Sequence, residues 1–126
     1  MVLLSPNQQR RVDEITEIQK TVGHVRTLVA ELESNRAAKT TIVTNLCSTI
    51  ARELSQMRQR LLTTPIGTIA DIAGALSIMA SRTGGLNMKL RGLADGVNSM
   101  DMQLDQALKA AMAPEAKDKN PDKNKK

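Results

Sequence analysis

Ile15, Val22, Val29, Val43, Ile50 and Met57 recur at multiples of seven, and Ile18, Val25, Leu32 and Leu46 fill the matching +3 positions. Apolar residues at this 3,4 spacing line one face of an α-helix and suit burial against another helix. The first half of the chain therefore predicts long helix. A second seam of Ile69, Ile72, Leu76, Met79, Leu86, Leu90, Leu93, Val97, Met100 and Leu104 carries the same spacing through the second half. The pattern as a whole predicts an all-α fold with coiled-coil-like heptad seams.

Punctuation between the seams leaves two architectures open. Ser5-Pro6-Asn7-Gln8 reads as a helix start, with Ser5 as cap, Pro6 at the first helical position, Gln8 completing a capping box and Leu4 as a hydrophobic staple. From there to Thr64 only Gly23 interrupts, so the stop near Ser34-Asn35 is soft. Thr63-Thr64-Pro65 is the strongest break, because Pro65 forces Thr64 out of helical geometry while Thr64 can cap a helix that starts at Pro65. Thr83-Gly84-Gly85 has the form of a helix end.

Taken at face value, these stops divide the chain into helices at 6–34, 37–63, 65–83 and 86–112, a monomeric four-helix bundle. The seam phase nevertheless passes unbroken through both soft stops, from Val29 to Arg36 to Val43 and from Met79 to Thr83 to Leu86. Preserved phase favours one long antiparallel hairpin, Pro6 to Thr63 against Pro65 to Met112, which must pair with a second copy to bury its faces. The long-hairpin dimer is therefore the slightly preferred expectation, although small residues argue the other way. Ala73, Ser77 and Ser81 form one stripe and Met88, Gly92 and Gly96 another, and a reversal at Gly84-Gly85 places Ser77 near Gly92 and Ala73 near Gly96. The helical domain spans residues 1–113, and the Lys-rich segment 114–126, with almost no apolar residue, predicts a disordered tail.

Composition narrows the chemistry. The 126 residues include no Phe, Tyr or Trp, so the core is built from Leu, Ile, Val, Met and Ala. Ring stacking on flavins, bases or sugars loses its usual partners, as does aromatic anchoring at a membrane surface. The single Cys47 cannot close an internal disulfide, and Met1 to Leu4 is too short an apolar stretch for a signal peptide, so a reducing, cytoplasmic setting is expected. Ile66 to Ala80 is the longest apolar stretch, too short to span a bilayer and broken by Asp71. The net charge of +5 is modest and divided between the second helical segment, where Arg36, Lys39, Arg52, Arg58 and Arg60 face only Glu53, and the tail.

Candidate sites follow from these patterns, each beside a plainer alternative. The seams offer an interaction surface: Ile15, Ile18, Val22, Val25, Val29 and Leu32, opposing Leu86, Leu90, Leu93, Val97, Met100 and Leu104 or their copies. Arg52, Arg58 and Arg60, with Lys123, Lys125 and Lys126 of the tail, are candidate contacts for an acidic partner or for phosphate, although such a face is ordinarily solvated surface. His24 points outward near Lys20, Arg26 and Thr27; an ordinary exposed histidine is the plain reading and a phosphotransfer histidine the minor alternative. Arg36 and Lys39 at seam positions form a polar layer if the helix is continuous and are exposed if it turns. The methionines, Met57, Met79, Met88, Met100, Met102 and Met112 among them, read as flexible core filler, and Cys47 as a small buried side chain. The acidic residues show no di-metal pattern, Asp101, Asp105 and Lys109 read as helical charge pairing, and no cofactor is implied. These observations predict a non-enzymatic helical interaction protein, an adaptor, scaffold or assembly subunit that joins a protein partner or itself. A nucleic-acid-associated protein and a phosphotransfer module are the alternatives.

Overall fold

The computed structural model describes residues 3–82 and 84–114. They form four helices, α1 (Pro6–Ser34), α2 (Thr40–Thr63), α3 (Ile69–Ser81) and α4 (Leu86–Met112). The tail at 115–126, with Lys123, Lys125 and Lys126, lies outside the described residues. No helix is long and apolar enough to cross a membrane among the described residues.

The first helix starts where its residues direct. The Ser5 hydroxyl accepts the Gln8 backbone N–H at 3.1 Å, and Gln8 Oε1 accepts the Ser5 N–H at 2.9 Å, which completes the capping box. The same Gln8 side chain donates through Nε2 to the carbonyl oxygens of Ala111 at 3.3 Å and Ala113 at 2.7 Å. One glutamine thus satisfies donors at the start of α1 and acceptors at the end of α4, which pins the two helices antiparallel.

Both soft stops are real turns, so neither long helix of the hairpin architecture forms. At the first, Asn35 donates its N–H to Glu31 O at 3.0 Å and its side-chain Nδ2 to the same oxygen at 2.7 Å. This doubled bond closes the last turn of α1, and Ala38 N–H folds back onto Asn35 O at 2.8 Å. Lys39 is then extended, with φ −57° and ψ 145°, so α2 begins at Thr40. At the other stop α3 ends with Arg82 N–H on Ile78 O at 3.1 Å, and Gly84 takes φ +155°.

Pro65 does not open the third helix. Thr64 is pulled to φ −131° and ψ 77°, as a residue before proline should be, and caps the end of α2 instead. Ile66 is only 2% exposed, so the connection is drawn into the core by an apolar anchor. Gly67 reverses the chain at φ +52°, and Gln103 of α4 holds the new helix start: its Oε1 accepts Thr68 N–H and its Nε2 donates to Thr68 Oγ1, each at 2.8 Å. The third helix is left with 13 residues, about 20 Å at 1.5 Å per residue, beside the 29 residues of α1.

Each helix packs on its neighbours in sequence, and α4 returns to α1, which closes an antiparallel four-membered ring. Ile15, Val22, Val25, Leu32, Ile50, Leu54, Met57, Ile69, Ala73, Leu93, Met100 and Leu104 fill its centre. Burial of each large side chain contributes about 1.5–3 kcal/mol. The late part of α2 turns Leu54 and Leu61 inward while Glu53 is half-buried and Arg60 exposed. The close approach of α3 and α4 occurs with different pairs from those the small stripes predict. Leu76 lies over Gly96 and Met79 over Gly92, whereas Ser77 faces α2 and donates to Ala51 O at 2.9 Å.

Candidate interaction surface

The closed ring decides where the seam residues go. Ile15, Ile18, Val22, Val25, Val29, Leu32, Leu90, Leu93, Val97, Met100 and Leu104 are buried within one chain, and Leu86 is half-buried against the same core. The fold itself uses these side chains, because four short helices satisfy internally what two long ones would leave bare. Arg36 and Lys39 form no buried polar layer. They are exposed at the α1–α2 turn, where Arg36 bonds Glu33 at 2.7 Å and Asn87 across the ring.

The three arginines of α2 do not share a face. Arg58 lies along α3, close enough that a Cβ on Gly74 would stand 3.0 Å from its Cδ. Arg60 reaches the other way, to α1, and donates to Thr21 Oγ1 at 2.6 Å. Residues two apart on a helix point in nearly opposite directions, so this separation is inherent in their spacing. Arg52 is exposed on the same helix. His24 is exposed on α1 and makes no side-chain hydrogen bond among the described residues, and Arg26 is turned away to Asn98 and Asp101 of α4. Cys47 is 6% exposed, with Lys89 Nζ at 4.0 Å from its sulfur. Among the described residues no three His, Cys, Asp or Glu side chains are grouped to hold a metal ion.

What remains outside the ring is a set of large apolar side chains. Met88 is 81% exposed, Met102 64%, Ile78 and Leu62 55% each. Met88 and Met102 are therefore surface groups and not the core filler their nearness to the seam suggests. Met57 and Met100 are core. Met88 and Met79 line a groove of about 330 Å³ between the end of α3 and the start of α4, with Arg82, Gly84, Gly85 and Lys89. A second groove of about 400 Å³ runs between α2 and α3 along Ser55, Arg58, Asp71, Gly74 and Ile78.

Charge is distributed along the bundle axis. The end that carries the α1–α2 and α3–α4 connections, here the upper end, gathers residues 36–52 and 72–94. These two stretches contain Arg36, Lys39, Arg52, Arg82, Lys89 and Arg91 and no acidic residue of their own, but Glu31 and Glu33 close α1 at the same end, where Glu33 bonds Arg36 and lies with Asp95 beside Arg91. Elsewhere acidic and basic side chains pair, as in Arg11–Glu14, Arg26–Asp101 and Lys109–Asp105. Comparison with known protein families, curated proteins and solved structures gives no match for this chain.

Proposed function

We propose that the protein is a non-enzymatic helical interaction module, an adaptor, scaffold or assembly subunit that works by surface complementarity with a second copy or a partner's helices. The observation that carries this reading is the apolar surface left over after the core is closed. Met88, Ile78, Leu62 and Met102 lie on a bundle that already buries a full seam from every helix. Exposed thioether and branched side chains beside polar rims are a usual feature of adaptable helix-binding surfaces. Association need not open the fold, because these groups are outside it.

The test combines sedimentation of the purified chain over a range of concentrations with photo-crosslinking in cells from positions 62, 78 and 88, with position 98 as a polar control. The expected outcome is association in one of two forms: mass that rises with concentration, or discrete adducts from the apolar positions and none from Asn98. A monomer at every concentration together with no position-specific adduct overturns the reading. The basic residues Lys39, Arg82 and Arg91 of the upper end favour one second reading, a nucleic-acid-associated protein. Duplex binding that weakens steeply with salt and disappears in a Lys39/Arg82/Arg91 triple alanine variant would support it.

A further inference from the structure

We propose that the groove between the end of α3 and the start of α4 docks an acidic amphipathic helix from a protein partner. This inference rests on the interaction-module reading and gives it a surface and a partner chemistry. The groove has an apolar lining, because Met79 forms its floor over Gly92 and Met88 stands beside it at 81% exposure. The Gly84-Gly85 backbone opens one side, and a Cβ on either glycine would meet nothing within 4 Å, so a partner helix can approach closely there. Two flexible thioethers adapt to the side chains that a helix presents at i, i+3, i+4 and i+7.

The rim selects the charge. Arg82 is exposed at the edge of the groove, and Lys89 is held beside it by a 2.6 Å bond from Nζ to Arg82 O. Along the chain the nearest carboxylates, Asp71 and Asp95, lie on either side of the acid-free stretch 72–94. The first turn of α4 has no acidic residue and Gly85 provides no side-chain cap, so its N–H groups add potential of the same sign. Carboxylates on the partner's polar face complete this arrangement.

The other occupants fit less well. The chain's own segment 115–126 holds five Lys against three acidic residues and would bring like charge to Arg82 and Lys89. A second copy seated groove to groove would set Arg82 and Lys89 against their own equivalents. Nucleic acid would satisfy the rim but has no use for a recessed methionine floor, and the chain has no aromatic side chain for base stacking.

The probe is a synthetic helical peptide with Leu at i, i+3, i+4 and i+7 and Glu on its other faces, titrated into the full chain carrying isotope-labelled methionine methyl groups. Met79 and Met88 signals are expected to shift saturably, while buried Met57 and Met100 stay fixed and report an intact fold. Binding should weaken with salt and with a Gln-for-Glu peptide. Arg82→Glu and Met88→Asp should each weaken it at least about tenfold, by like-charge contact and by loss of the apolar wall. Both positions are exposed, so the variants keep the fold. Stationary Met79 and Met88 signals overturn the proposal, as do shifts confined to Met102 and Met112 or equal binding of the uncharged peptide. Movement of the two signals by duplex DNA or by phosphatidylserine vesicles, with none by the peptide, overturns it in favour of those ligands. Adducts at positions 62 or 78 alongside a silent groove would retain the interaction module and reject this surface.

Discussion

Gly23, Gly92 and Gly96 offer one substitution in three environments. Each lies inside a helix, where replacement by alanine contributes about 0.8–1.0 kcal/mol of helix propensity. At Gly23 the new Cβ meets nothing within 4 Å, so Gly23→Ala should stabilise by about that full amount. At Gly92 it meets the Met79 thioether, Sδ nearest and Cε at 2.7 Å, a half-buried flexible group that can swing into the adjoining groove. The propensity gain and the displacement then nearly cancel. At Gly96 it meets Leu76, with Cγ at 2.9 Å and both methyl groups nearer still. Leu76 is 4% exposed and its branch point cannot retreat without moving core neighbours, so an overpacking penalty of about 1–3 kcal/mol outweighs the gain. Gly96→Ala should therefore be less stable than Gly23→Ala by roughly 2 kcal/mol, about 8 °C in Tm for a domain of this size. Without aromatic side chains the assay is urea and thermal unfolding followed by far-UV circular dichroism. A Leu76→Ala background should relieve most of the Gly96→Ala penalty in a double-mutant cycle. Equal stability of Gly96→Ala and Gly23→Ala would refute the proposed contact between α3 and α4.

Gly67→Ala should destabilise by at least about 1–2 kcal/mol in urea melts, since its φ of +52° disfavours a side chain and the added Cβ would displace the Gln103 clamp on Thr68. Gln8→Ala should cost more than Ser5→Ala, by about 1 kcal/mol, because Gln8 alone also reaches Ala111 O and Ala113 O; equal effects would show that its link to α4 contributes nothing. Asp101→Asn should change stability by less than about 1 kcal/mol, since its bridge to Arg26 is half exposed. Small-angle scattering should give a radius of gyration near ~14 Å for a single compact copy. A maximum dimension of about 87 Å, the length of an unbroken helix from Pro6 to Thr63, would instead restore the long hairpin.

Helix faces were legible in the sequence, and helix continuity was not. A 3,4 pattern records which side of a helix is buried, and each helix of a bundle keeps such a pattern whether or not it is joined to the next. The unbroken phase from Val29 to Val43 therefore carried no information about the bend at Asn35. That bend depends on a local competition, in which the Asn35 side chain and backbone both take Glu31 O. The start of α3 at Ile69 was hidden for another reason: its restraint comes from Gln103, thirty-five residues away, and from burial of Ile66. Pro65 alone suggested a start four residues too early.

The surface depended on the same distinction between position and context. Met88 lies two residues from both Leu86 and Leu90, about 200° around the helix from either, so its exposure follows from spacing once Leu90 is known to face inward. Arg58 and Arg60 are separated by the same geometry, which divides a cluster that looks contiguous along the chain. The acid-free runs at 36–52 and 72–94 could be read from composition, but nothing local brings them to one end of the molecule. Mirror pairing about Pro65 sets them side by side in either architecture, and the turns at Asn35 and Gly84 decide that they lie at an end of the molecule. In a long hairpin those residues would lie midway along two helices. The turns that spend the seams on the core therefore also place the positive charge and exposed methionine at one end, so fold and candidate surface depend on the same two reversals.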